Sequence, residues 1–278
     1  MVDGVERTYW LAAPAPPGAP LLVVLHGMGI DGRLMATWTG LAARGPEAGF
    51  TTVFPDAVSE MWDDVGHGRR DGVDDAGFVR ALVDCLAAPA GTVVLAGLSN
   101  GAFFAERLAR QGLVDAAGIA LVAGTAREAS RRTAPRPRRG AAALLIEGTA
   151  DPLVPYRGGR GAGPMGWMAR RRARRLLIEP GGREAVAAEV VAADWAAANG
   201  CPSEPSVEPA PGAPGGLPVE LLRWTAPGQP PVELYRIAGG GHGWPGGPQY
   251  APARLVGRID DRLDASGIVL DFARGLAG

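Results

Sequence analysis

The sequence contains no lysine; all 28 of its basic residues are arginine. That excludes P-loop phosphate lysines, Schiff-base chemistry and Ser–Lys dyads, each of which needs an ε-amino group. Histidine is nearly as scarce, with three residues, His26, His67 and His242. The two cysteines, Cys85 and Cys201, are too few for a disulfide framework or a four-cysteine zinc site. Aromatic residues make up only 6%. Charge of either sign is also missing in excess. The net charge is −1, which supplies no global basic field, so neither nucleic acid nor an anionic membrane is expected as a partner. No apolar run approaches the roughly 18 residues of a membrane-spanning helix. The opening MVDGVERTYW lacks the basic and apolar regions of a secretory leader, which gives a cytoplasmic expectation.

What the chain does hold is ordinary globular material: 278 residues, 47% hydrophobic and 21% charged. This composition excludes full-length disorder and suffices for a sizeable core. The length suits one domain over residues 1–278. Gly (42) and Pro (25) punctuate it heavily, with no internal repeat.

Continuous apolar runs mark strands buried on both faces, as Leu21–Leu25 (LLVVL) and Thr92–Ala96 (TVVLA) do. Further strands are expected at Val5–Leu11, Thr51–Pro55, Gly118–Val122, Ala141–Glu147, Glu220–Thr225 and Val232–Ile237. Helices are expected at Arg33–Ala43, Val73–Ala87, Asn100–Gln111 and Ala185–Asn199, with a last one inside Ala253–Leu276. Strands alternating with helices imply an α/β fold with a mostly parallel central sheet. Three irregular stretches, near 126–140, 157–175 and 202–218, read as surface loops. The arginine run within 169–175 suits a solvated face or an anionic ligand.

In such sheets, sites lie beyond the carboxyl ends of the strands. The strand Thr92–Ala96 runs into Gly97-Leu98-Ser99-Asn100-Gly101 and then a helix, a G-x-S-x-G pattern at a strand-to-helix turn. A serine nucleophile needs a base and an orienting acid, in the chain order Ser, acid, His. Only His242 follows Ser99, in the loop GGGHGWP directly after Val232–Ile237. Asp151, just past Ala141–Glu147, is the expected acid; Asp194 is the alternative, within a helix. His26 reads as a turn-shaping residue and His67 as a surface one. Oxyanion donors are expected from the backbone N–H of Asn100 and of Met28, the latter in the glycine-rich loop after Leu21–Leu25.

Several separated segments then carry a resemblance: LHGMG, FPDAVSEMWDD, GLSNG, GTADPLVPYRGG, WAAANGC and GGGHGWPGG, spread over residues 20 to 248. The chain resembles the polyhydroxybutyrate depolymerase and feruloyl esterase-type hydrolases of the α/β-hydrolase superfamily. The resemblance implies an α/β-hydrolase fold, a triad of Ser99, Asp151 and His242, and Trp62 and Trp244 near the site, either as core or as an apolar substrate wall. Met28 stands where several relatives have cysteine. Ala102-Phe103-Phe104 departs from the family pattern after GLSNG. Cys201 matches the family's Asn-Gly-Cys, while Cys85 reads as a buried apolar residue.

The expected activity is that of a serine esterase acting on a small-molecule or oligomeric ester through an acyl-enzyme, with no metal or organic cofactor. Hydroxyalkanoate, hydroxycinnamate and short acyl esters all fit. An acyltransferase would use the same residues; a non-catalytic binding module on the same scaffold would not need all three triad positions filled.

Overall fold

A computed structural model describes residues 4–12, 17–66, 72–86, 89–138, 140–161, 184–210 and 215–276. His67 and the 169–175 arginine run lie outside the described residues.

Nine strands form one sheet: β1 (Tyr9–Leu11), β2 (Leu21–Leu25), β3 (Thr51–Pro55), β4 (Val93–Leu98), β5 (Gly118–Val122), β6 (Ala142–Gly148), β7 (Ser206–Pro209), β8 (Val219–Trp224) and β9 (Val232–Ile237). Their order across the sheet is β1-β3-β2-β4-β5-β6-β9-β8-β7. The six strands from β3 to β9 in that order run parallel, and β1, β8 and β7 pair antiparallel at the two margins. Alternation along a strand sends its side chains to two separate cores. Leu21, Val23 and Leu25 of β2 enter one, whereas Leu22 and Val24 enter the other. Both faces are thus covered, which is why LLVVL carries no polar residue.

The helices are α1 (Gly32–Thr39), α2 (Leu41–Glu47), α3 (Asp75–Cys85), α4 (Asn100–Arg110), α5 (Glu128–Thr133), α6 (Ala188–Asn199), α7 (Ala253–Val256) and α8 (Ala265–Leu276). The first core holds residues of α3, α4 and α6, and the second those of α1, α2 and α8. No helix among the described residues is long and apolar enough to cross a membrane.

Several local expectations are corrected. The single helix expected at Arg33–Ala43 is two, because Gly40 adopts φ 65° and its N–H turns back to Ala36 O, ending α1. The expected strand Val5–Leu11 shortens to Tyr9–Leu11. The stretch near 126–140, read as a loop, contains α5, whose Ala129 and Ser130 are buried. The one near 202–218 contains β7. Cys85 is exposed rather than buried, and both cysteines are free thiols.

Candidate active site

Three parallel strands, β4, β6 and β9, and the loops beyond them build the site, with β5 lying between β4 and β6. β4 ends at Leu98, and the chain turns sharply at Ser99 into α4. Ser99 sits at φ 54°, ψ −115°, a region that L-residues avoid, so its geometry must be imposed by its surroundings. The Ser99 N–H donates to Val122 O of β5 at 2.9 Å. The flanking glycines make the turn possible by close approach: a Cβ on Gly97 would lie 2.4 Å from the Gly101 carbonyl carbon, and one on Gly101 would lie 2.3 Å from Leu25 O. The elbow places the Ser99 hydroxyl at the N-terminal end of α4, partly exposed.

β6 ends at Gly148 and delivers Asp151; β9 ends at Ile237 and delivers His242. His242 Nδ1 is 2.7 Å from Asp151 Oδ2, and His242 Nε2 is 2.9 Å from Ser99 Oγ. The second carboxylate oxygen of Asp151 accepts the N–H groups of Leu153 and Val154 at 2.7 and 2.8 Å, which fixes the carboxylate plane. The loop carrying His242 is held by backbone bonds: Gly241 N–H donates to Arg258 O, and His242 N–H to Val256 O. The alternative acid, Asp194, is elsewhere; on α6 it pairs with Arg110 and Arg131.

The backbone N–H groups of Met28 and Asn100 flank this turn, and neither makes a hydrogen bond among the described residues. The Asn100 side chain does something sequence reasoning missed. It clamps the backbone of Trp62, with Oδ1 accepting the Trp62 N–H at 2.8 Å and Nδ2 donating to Trp62 O at 3.2 Å. That clamp and a layer of ion pairs, Asp64 with Arg127 and Asp75 with Arg7, set the 61–66 loop beside the elbow. Arg127 also lies over the Phe103 ring at 3.5 Å.

Trp62 and Trp244, expected either as core residues or as an apolar substrate wall, lie in the two cores. They are 0% and 2% exposed. Trp62 stacks on Phe104 and donates its indole N–H to His26 O; Trp244 donates to Ser266 Oγ. Large apolar rings gain more from burial in the two cores than from exposure at a rim. The half-buried Met28 side chain instead packs on Met61, Val65 and Ala129.

Glu147, at the end of β6, is a further buried group. Its Oε1 accepts the Gly124 N–H at 3.0 Å. Gly124 lies directly behind the elbow, since a Cβ there would come 2.6 Å from Ser99 O. Burial pushes the Glu147 carboxyl well above the usual carboxylate range, the Asp151 charge adds to this, and the Gly124 N–H opposes it. The folded chain therefore keeps a proton that the unfolded chain releases. This group's contribution to stability is lost as pH rises above the ordinary glutamate value. Glu147→Gln keeps the acceptor for Gly124 and removes the ionisation. Its thermal midpoint should exceed that of the unsubstituted protein by a margin that widens as pH rises above the ordinary glutamate value. Melting curves across that range that stay parallel would contradict the assignment.

No family model matches the sequence. The chain is 34% identical over 290 residues to "Putative esterase NocK" of Nocardia uniformis subsp. tsuyamanensis, covering 99% of this chain and 81% of that protein. Among solved structures, an acetyl xylan esterase from Aspergillus awamori matches with a TM-score of 0.56 at 11% identity, over 84% of this chain and 87% of that one, a likeness of fold. An identity of this size across nearly the whole chain, together with a mostly parallel sheet covered by helices on both faces, places the protein in the family of NocK: it is a carboxylic ester hydrolase of the α/β-hydrolase fold.

Proposed function

We propose that the protein is a serine esterase in which Ser99, His242 and Asp151 form the catalytic triad, acting on hydroxyalkanoate, hydroxycinnamate or short acyl esters of the kind taken by polyhydroxybutyrate depolymerase and feruloyl esterase-type enzymes. The observation that carries this reading is the unbroken hydrogen-bond chain from Asp151 through His242 to a partly exposed serine on a strained turn.

His242 Nε2 takes the hydroxyl proton as Ser99 Oγ attacks the ester carbonyl carbon. The carbonyl oxygen becomes an oxyanion, and the N–H groups of Met28 and Asn100 donate to it. Asp151 holds the imidazole in the tautomer with its proton on Nδ1 and stabilises the imidazolium as it forms. The tetrahedral intermediate collapses, the C–O bond to the alcohol breaks, and His242 gives its proton to the departing oxygen. Water then attacks the acyl-Ser99 ester, giving its proton to His242, and the second collapse releases the acid and returns the proton to Ser99. The Met28 side chain, packed on Met61, Val65 and Ala129, provides apolar surface next to the oxyanion donors for the apolar part of the ester.

The test is a panel of p-nitrophenyl esters with an alkyl fluorophosphonate probe. Turnover of at least one ester and label on Ser99 are expected. Asp151→Asn should keep the label site but lower kcat by roughly 10⁴-fold through loss of the correct imidazole tautomer. A protein that turns over none of the panel and takes no label at Ser99 overturns the reading.

A further inference from the structure

The mechanism leaves one buried histidine unused. His26 follows β2 directly, immediately before the Gly27-Met28 segment, and is 0% exposed. Its Nδ1 is 2.8 Å from the carbonyl oxygen of Gly27, and its Nε2 is 3.0 Å from the backbone nitrogen of Ala57. Its own carbonyl accepts the Trp62 indole N–H at 3.0 Å, and its ring lies against the Trp62 ring. A backbone amide can only donate and a carbonyl can only accept. The Ala57 contact therefore requires a bare Nε2, and the Gly27 contact requires a proton on Nδ1. The two neighbours independently select the same neutral tautomer. Burial, the largest influence, lowers the pKa of the ring from its ordinary value; the Gly27 carbonyl and the carboxylates of Asp56, Asp31 and Glu60 pull the other way.

The Gly27 carbonyl and the Met28 N–H are two ends of one peptide unit. The unit is planar, and no cis bond occurs among the described residues, so its C=O and N–H point in opposite directions. A donor that pins the oxygen on one side aims the N–H to the other. The Met28 N–H is the end that has no protein partner among the described residues.

We infer that His26 is a positioning residue for the oxyanion hole: its Nδ1–H holds the Gly27–Met28 peptide in the orientation that presents the Met28 N–H to the reacting carbonyl oxygen, and the Ala57 N–H holds the ring in the tautomer that can do so. The inference rests on the reading of Met28 as an oxyanion donor. The same bond withdraws electron density from the Gly27 oxygen and so strengthens the N–H at the other end of the peptide. Without the pin the peptide is free to rotate, and a rotated peptide turns a carbonyl lone pair, rather than a donor, toward the developing negative charge. His26 touches no reacting atom; it acts through the peptide. Its effect belongs to the transition state and the tetrahedral intermediate, because the negative charge is absent from the bound ester.

Two substitutions separate the bonds. His26→Asn puts an amide nitrogen where Nδ1 was, able to donate to Gly27 O, and loses the Ala57 contact. His26→Gln puts an amide oxygen where Nε2 was, able to accept from Ala57, and loses the Gly27 contact. Each gives up one buried hydrogen bond, so their thermal midpoints should fall by similar amounts. Their kinetics should not match. His26→Asn is expected to keep kcat within about tenfold of the unsubstituted enzyme, while His26→Gln loses about 10²-fold or more in kcat at unchanged KM. Equal kcat values for the two variants, or a loss carried by KM alone, would overturn the inference. Should either variant fail to fold, ¹⁵N spectra of the unsubstituted protein decide the matter: the His26 ring must be neutral, with its proton on Nδ1, throughout the active pH range. A proton on Nε2 within that range would sink the idea. If the unsubstituted enzyme labels at Ser99 while the two variants behave alike, this inference alone fails; if it neither labels nor turns over any ester, the serine esterase reading fails first.

Discussion

Ser99→Ala should lower kcat by about 10⁶-fold on any ester the enzyme accepts, leave KM close to its original value, and abolish labelling by a fluorophosphonate. The size follows from what is removed. In the proposed mechanism the hydroxyl oxygen is the atom that forms the acyl bond, and without it His242 Nε2 has nothing to deprotonate at its 2.9 Å contact. The fold should not suffer, because the Ser99 backbone bonds to Val122 O and from Phe103 N–H do not involve the side chain. His242→Ala should fall about as far, and the double variant no further than either single one, since residues that act as a unit are not additive. Residual activity should remain roughly 10³-fold or more above the uncatalysed rate, supplied by the oxyanion donors and by substrate binding. A Ser99→Ala protein retaining a tenth of the activity would move the nucleophile elsewhere.

The second large effect concerns stability and lies at the other end of the same helix. Arg110 is buried at the C-terminal end of α4, bonded to Glu106, also buried, and to Asp194 and Ala134 O. Burial pushes the Glu106 carboxyl upward, and Arg110 is the nearest group pulling it back. Arg110→Ala should destabilise the protein by about 3–5 kcal/mol, because it strands a carboxyl group in the interior without its counter-charge. Thermal melts should show a fall on the order of 10 °C. The control is to remove both partners. Glu106→Gln with Arg110→Met should recover much of the loss, since well-packed neutral groups in place of a buried pair are often tolerated. The folded fraction of Arg110→Ala should keep its kcat: α4 spans Asn100–Arg110, about 16 Å of helix between this network and the elbow. A single variant no less stable than the double would mean that the pair contributes nothing beyond its packing.

Both effects depend on features the sequence discloses to very different degrees. The elbow is legible because its glycines are demanded by backbone contact, and the strand before it is apolar at every position. His242 is legible by elimination, since only one histidine follows Ser99. The central strands are legible for the same reason as β4: burial on both faces leaves no polar residue to confuse the pattern. β7 is not, because all four of its residues are exposed and it is held by backbone pairing to β8 and an exposed ion pair from Glu208 to Arg223, neither of which a hydrophobic pattern reports. α5 hides among prolines and arginines, and only its inward Ala129 and Ser130 give it an interior side. Trp62 and Trp244 show a deeper limit. An aromatic residue in a loop of the active site satisfies the pattern of a substrate wall and of a core residue equally well, and only the surrounding side chains decide. His26 has the same history. Its sequence context, a histidine before glycine at a strand end, suggests a turn; the two bonds that give it a task are made to Gly27 beside it and to Ala57, thirty-one residues away.

β9 lies between β6 and β8, and the loop that leaves it is tied to Val256 and Arg258. The chain separations at the site are correspondingly large: 143 residues between Ser99 and His242, and 91 between Asp151 and His242. A nascent chain that has emerged as far as Asp151, three residues past β6, carries the proposed serine and acid but not the proposed base. Even after β9 has docked, the imidazole is unplaced until the segment that follows closes over its loop. Long-range pairings of this kind carry a large loop-closure cost before they reward it, which makes them slow to form. With the proposed triad, hydrolytic competence therefore waits on the closure of the segment through Arg258 rather than growing with the sheet, and a chain lacking that closure is inert toward esters in its surroundings.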